Sequence, residues 1–228
     1  MQPRYSVVSL PISGALSGGK DIEVHTHIVL VGYVACFLSF CFCIGVVLLP
    51  PGPTLANGSL RYISEGLDLS CGWSVVVMGS SSMLILMCQL VASAYMRNQN
   101  AAAWAVVQAV SWNTVAGVSS TGWEAHYVAL LVFLVSSIAF HYIASNDSAY
   151  GGRIYRAANI GSIVFSALFA CLNMVSRFGG DDTHLGVTAR SFAVSFEFVL
   201  MFSLVLQVLC LVQALDSYHV IHLRFEHR

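Results

Sequence analysis

Charged side chains are scarce in this sequence. Asp, Glu, Lys and Arg together make up 9% of it, where an ordinary soluble domain carries about 25%. That is too little charge to cover a water-facing surface, which excludes a soluble enzyme and a disordered regulator. Ten Lys and Arg stand against eleven Asp and Glu, a net charge of −1. No basic field exists to attract nucleic acid, and no nucleic-acid partner is expected. Chemical motifs are missing too. The chain has no nucleophile elbow, no phosphate loop and no His-Glu-x-x-His pattern, and Gly117-Val118-Ser119-Ser120-Thr121-Gly122 has no strand before it to make a phosphate cradle. No catalytic residue is therefore assigned, and any enzymatic activity stays open with the balance against it.

Apolar residues fill the space that charge leaves. They make up 57% of the chain, and the mean hydropathy is +0.76. A helix crossing a bilayer core of roughly 30 Å needs about 20 apolar residues. Six stretches qualify, at about 28–50, 73–95, 101–118, 126–144, 157–175 and 191–215, the third being weakest because it holds Gln108 and Asn113. The runs are continuously apolar rather than alternating, so helices satisfy the backbone in hydrocarbon. The expected fold is all-α: a polytopic bundle of six transmembrane helices, with residues 1–228 forming one domain and no internal repeat.

Orientation follows from the loops. Arg4, Lys20, Arg97, Arg153, Arg156, Arg224 and Arg228 fall on one side, and only Arg61, Arg177 and Arg190 on the other. Seven against three places both termini in the cytoplasm. Residues 1–27 lack a signal-peptide core, so the first span is expected to act as an uncleaved anchor. In the first outer loop Asn57-Gly58-Ser59 is a glycosylation sequon. The formal sequon Asn146-Asp147-Ser148 would face the cytosol.

Of seven cysteines, only Cys71 lies near the outer surface, so no outer disulfide is available and the others read as small apolar residues. Eight histidines raise the question of haem or zinc. His25, His27, His141, His219 and His222 fall near the cytoplasmic face, at the ends of spans or beyond them, and read as residues that solvate helix ends. On the outer side only His126 and His184 accompany Glu124, Asp181 and Asp182, one histidine short of a membrane zinc hydrolase. No metal or cofactor is expected, beyond a bound lipid. One ionisable group clearly sits inside a span. Glu197 lies about two turns into the sixth, where a charge costs about 2.5–3.5 kcal/mol, which makes it a functional candidate or an interhelical hydrogen-bonding group. Asn173, His126 and Arg190 are its candidate neighbours.

Several positions then line up in order along the chain. The first outer loop has Arg61-Tyr62-Ile63-Ser64-Glu65-Gly66. Val118-Ser119-Ser120 and His126 join the third and fourth spans. Arg153, Asn159 and Phe165-Ser166-Ala167-Leu168 follow, then Glu197-Phe198, with Gln213 and Asp216 beyond. This set resembles the FRAG–DRAM–SFK superfamily of six-span proteins, which includes the damage-regulated autophagy modulators and the post-GPI-attachment factor. Arg61 stands where the modulators have proline, and Glu65 where they have aspartate. The resemblance implies a non-enzymatic membrane factor linked to lipid remodelling, lipid-dependent signalling or autophagy, in secretory, endolysosomal or plasma membranes. It also implies an outer-leaflet lipid site built from Tyr62, Ser64, Glu65, Gly66, His126 and Glu197, with membrane lipids as partners. The alternative is an accessory subunit whose partners are other membrane proteins; a transporter or a lipid-modifying enzyme is less favoured.

The two sequons make orientation testable. Expressed in cells that glycosylate, the protein should lose a glycosidase-sensitive mass shift in Asn57→Gln and keep it in Asn146→Gln. The reverse pattern places the termini outside.

Overall fold

An apolar segment in hydrocarbon pairs its backbone locally, as a helix, and the chain forms six helices, five of them long and apolar enough to cross. The computed structural model describes residues 6–11, 24–26, 28–48, 60–63, 65, 72–118, 123–147, 150–180, 183–215 and 221–226. Its helices are α1 (Ile28–Leu48), α2 (Trp73–Tyr95), α3 (Gln99–Gly117), α4 (Trp123–Asn146), α5 (Arg153–Gly179) and α6 (His184–Leu215). The helix outside those five is α3, the polar one already marked by Gln108 and Asn113.

The chain ends add an element that an all-α expectation did not include. Strands β1 (Ser6–Pro11), β2 (Val24–Thr26) and β3 (Ile221–Glu226) form a sheet in the order β1-β3-β2. β3 runs parallel to β1 and antiparallel to β2. Because β2 leads into α1 and β3 follows α6, this sheet brings both termini to one end of the bundle. We call it the terminal end, and the opposite one the loop end.

Each helix packs on its neighbours in sequence, and α6 returns to α1, so the six close into a ring. Specific contacts fix the antiparallel sense. The Cys88 thiol of α2 reaches the Ile28 carbonyl at the start of α1 (3.7 Å). The Asn113 amide of α3 donates to Ser82 of α2 (3.1 Å). Ser162 of α5 bonds Ser203 of α6 (2.8 Å).

Local sequence explains the turns. Arg97 ends α2 with φ 51°, and the N–H groups of Arg97 and Asn98 bond back to Ala94 (3.1 Å) and Ser93 (3.0 Å), a complete Schellman stop. Asn98 then caps α3, its side chain accepting the Ala101 N–H at 3.1 Å. Thr183 caps α6 in the same way, accepting the Gly186 N–H at 3.0 Å. Gly186 must be glycine, since a Cβ there would lie 2.0 Å from the Gly180 carbonyl oxygen.

The ring is apolar outside and gathers its polar side chains, among apolar ones, inside. Gln89, Gln108, His126, His141, Asn159, Ser162 and Gln207 are buried, whereas Leu30, Phe37, Val76, Leu131, Ile160 and Phe178 are exposed. A water-soluble protein has the opposite arrangement; this one is built for lipid surroundings.

The turn at Gly186 yields a stability test. Gly186→Ala must displace backbone, a loss on the order of 1–3 kcal/mol, and should lower the thermal unfolding midpoint in detergent. Gly117→Ala, where an added Cβ meets nothing within 4 Å, should leave that midpoint unchanged.

Candidate functional site

The first loop folds back into the loop end of the bundle, and one cation holds it there. Arg190, two turns into α6, donates through Nε to the Leu60 carbonyl (3.2 Å) and through Nη2 to Glu65 Oε1 (2.5 Å). Its guanidinium also lies over the Tyr62 ring, 4.8 Å from the centroid. Lysine could not make this set, because only a guanidinium presents a planar fork of donors together with a stacking face. The other oxygen of Glu65 accepts the Tyr62 backbone N–H at 3.0 Å, so the loop is also closed on itself.

Tyr62 and Ile63 are the parts that enter the bundle, and both are buried. The Tyr62 ring meets Phe169 of α5 edge-on, with centroids 6.3 Å apart, within the range such pairs favour. Its hydroxyl donates to Asn173 Oδ1 at 3.2 Å. Burial pushes that hydroxyl above its ordinary range, with the Arg190 charge opposing, so Tyr62 stays a neutral donor.

Beneath the loop, Glu197 of α6 accepts the Ile63 backbone N–H through Oε2 at 3.0 Å. Of its candidate neighbours, Arg190 pairs with Glu65 and Asn173 takes the Tyr62 hydroxyl. His126 shares a small cavity with Glu197, about 30 Å³ open to water, walled otherwise by apolar groups such as Leu130, Phe169 and Leu200. The His126 Nδ1–H donates to the Val118 carbonyl at 3.0 Å, which fixes the tautomer and leaves Nε2 as the free ring nitrogen. That Nε2 is buried and has no hydrogen-bond partner among the described residues.

The structure therefore brings Tyr62, Glu65, His126 and Glu197 to one end, the first two and Glu197 joined through the loop backbone. Ser64, Gly66 and the sequon residue Asn57 lie outside the described residues. Among those described, no three His, Cys, Asp or Glu side chains gather to hold a metal.

A second polar cluster lies toward the terminal end. Gln89 donates to Gln108 Oε1 at 2.8 Å, and the Gln207 amide donates to Asn159 Oδ1 (3.2 Å) and Ser162 Oγ (3.0 Å). His141 Nδ1 lies 2.6 Å from the Tyr155 hydroxyl. His141 is 0% exposed, so it belongs to the interior and not to an interface, contrary to its reading as a helix-end group. Its place within a span was the available signal, since a polar group there needs a partner. Gln207, an amide inside the sixth span, carries the same signal.

Comparison with family models, with characterised proteins and with solved structures finds no match.

Trypsin gives a direct reading of the Arg190 clamp, because Arg61 is a cleavage site and its Nε and Nη1 are buried. Hydrogen bonds to charged groups contribute about 1.5–3 kcal/mol each. Arg190→Ala should therefore speed cleavage after Arg61 by about tenfold or more, and Arg190→Lys should fall between that and the wild type. Equal rates in all three would show that the clamp does not hold the loop.

Proposed function

We propose that this chain is a six-span, non-enzymatic membrane factor, with both termini in the cytoplasm, that binds a lipid of the outer leaflet at its loop end and acts on lipid organisation or lipid-dependent signalling. The observation that carries this reading is a groove of about 600 Å³ between α3 and α4, with Val106, Val110 and Thr114 on one wall and Glu124, Val128 and Val132 on the other. It faces the surroundings, since Val110 and Val128 are 61% and 62% exposed. From Val106 to Thr114 it follows α3 for about 12 Å at 1.5 Å per residue, a fit for part of an acyl chain.

Its polar end supports the choice of leaflet. Thr114 and Glu124 stand where the groove reaches the loop end, so a lipid lying in it would present its headgroup to a carboxylate and a hydroxyl. A headgroup carrying a cationic amine suits that pair. His126, two residues beyond Glu124, turns inward to the Glu197 cavity. We assign Tyr62, Glu65, His126 and Glu197 to closing the bundle beside the headgroup, with Ser64 and Gly66 on the same loop.

The reading also draws on the resemblance to the FRAG–DRAM–SFK superfamily, whose members act at lipids without an established catalytic set to lay onto this chain. α3 completes the sixth crossing: it packs between α2 and α4, both long enough to span, and an even count returns the termini to one side.

Native mass spectrometry of gently extracted protein tests the proposal. The wild type should carry a lipid adduct above its 24.6 kDa chain mass. Val110→Trp and Val128→Trp fill the groove and should abolish the adduct, while Ile160→Trp on the exposed face of α5 should retain it. An adduct unchanged in all three would remove the groove from the mechanism. Recovery only within a complex of other chains would favour the accessory-subunit reading.

A further inference from the structure

Two buried histidines face two internal cavities, and the cavities share a wall. The one toward the loop end holds His126 and Glu197. The other, about 40 Å³ open to water, lies toward the terminal end and is lined by His141, Gln89, Gln108, Ser39 and Ser82 among apolar residues. Trp112, Phe133, Met201 and Leu204 line both. The two cavities are therefore separated by an apolar wall, in which the Trp112 and Phe133 rings pack together 4.2 Å apart and tilted by 32°.

Each cavity also holds an imidazole nitrogen in need of a partner. His126 Nε2 and His141 Nε2 are both buried without a hydrogen bond among the described residues, and the residues are 3% and 0% exposed. Leaving such a nitrogen dry costs about 1–3 kcal/mol. A water needs about 10–15 Å³ of open volume and two or more polar partners; both cavities have the volume, and the candidate partners are His126 and Glu197 in one and His141, Gln89 and Gln108 in the other. Either tautomer of His141 suits a water, which both donates and accepts.

We propose that the bundle interior is a proton path, made of these two hydrated chambers and held shut by the Trp112–Phe133 neck. Polar chambers on either side of an apolar constriction form a gate that opens by wetting, and carboxyl and imidazole groups within a span are the usual carriers. A proton from water at the loop end binds the Glu197 carboxylate, which passes it to water in the first chamber. His126 accepts at Nε2 and returns the proton there, since its Nδ1–H stays on Val118. When the neck wets, a water file hands the proton to His141 Nε2. The imidazolium releases its Nδ1 proton to the Tyr155 oxygen as the phenol proton leaves to water at the terminal end, and a flip of the imidazole ring then returns the bare nitrogen to the chamber for the next proton. One proton enters and one leaves, and no redox step occurs. The ionisable groups around Glu197 are Glu65, Arg190, Tyr62 and Cys43, with His126 across the shared cavity, and Tyr155 faces His141.

The test uses the purified full chain in liposomes that contain a pH-sensitive dye, with a valinomycin-driven potassium potential. Phe133→Ala and Met201→Ala widen the neck and should each raise proton influx at least tenfold over the wild type. Adding Glu197→Gln or His141→Leu to either should remove most of that gain. Neck variants that melt like the wild type but conduct no faster would overturn the proposal. So would a raised flux that is indifferent to Glu197 and His141, the mark of a leak through loosened packing. A measurement on the wild type covers the case in which neither neck variant folds. Deuterium exchange at histidine C2 is expected at both His126 and His141, and absence of exchange at either would show a dry chamber and end the argument.

Discussion

A polar side chain turned to lipid has no water to fall back on, and the whole arrangement follows from that requirement. Gln89 and Gln108 can be buried on adjacent helices only if α2 and α3 present them to each other. Ser162, Asn159 and Gln207 impose the same demand on α5 and α6, and His141 with Tyr155 joins α4 to α5. Each bond is worth little by itself, about 0.6 kcal/mol on average in a membrane. A rotated helix would instead expose an amide to lipid and strand its partner, so the bonds act chiefly by excluding other packings. The ring is specified more by what it must not show than by strong attraction.

The loop end obeys the same rule with charge in place of amides. Arg190 and Glu65 sit where the bundle meets the outside, 13% and 29% exposed, close enough to water that neither ion is fully desolvated. Glu197, a turn and a half to two turns deeper on the same helix, takes a backbone N–H from the loop. The cluster is thus graded: an ion pair at the rim, a phenol on an amide beneath it, and a carboxyl on a peptide group below that. The groove between α3 and α4 sits outside this gradient, on the lipid side of the same helix turn that carries His126.

How much of this was legible in the sequence divides along physical lines. Helix number and placement were readable, because a run of apolar residues near bilayer length admits few other structures; α1 and α2 begin where the apolar runs begin. The ends ran longer than hydropathy suggests. α5 starts at Arg153 and α6 at His184, since caps and turns, not apolarity, decide where a helix stops. Glu197 was visible as the lone acid in a span, and Tyr62 and Glu65 through the loop pattern. The identity of Glu197's partner was not, because a backbone N–H leaves no trace in a residue string. Which face a histidine takes is also invisible to composition, and so His141 passed for a helix-end residue. The α3–α4 groove has no sequence signature, being a shape left between Val110 and Val128 where neither side chain is large.

The terminal sheet has a consequence for assembly. β1 and β2 are not paired with each other; both depend on β3, which lies between them. β3 is synthesised only after all six helices. Through the whole of synthesis and insertion, the first two strands must therefore wait without their ladder, at the end where α6 will later close against α1. Completion of the sheet and closure of the ring are then a single late event that joins the first-made part of the chain to the last, and a nascent protein stalled at any earlier helix would carry an open bundle with its polar interior turned to lipid.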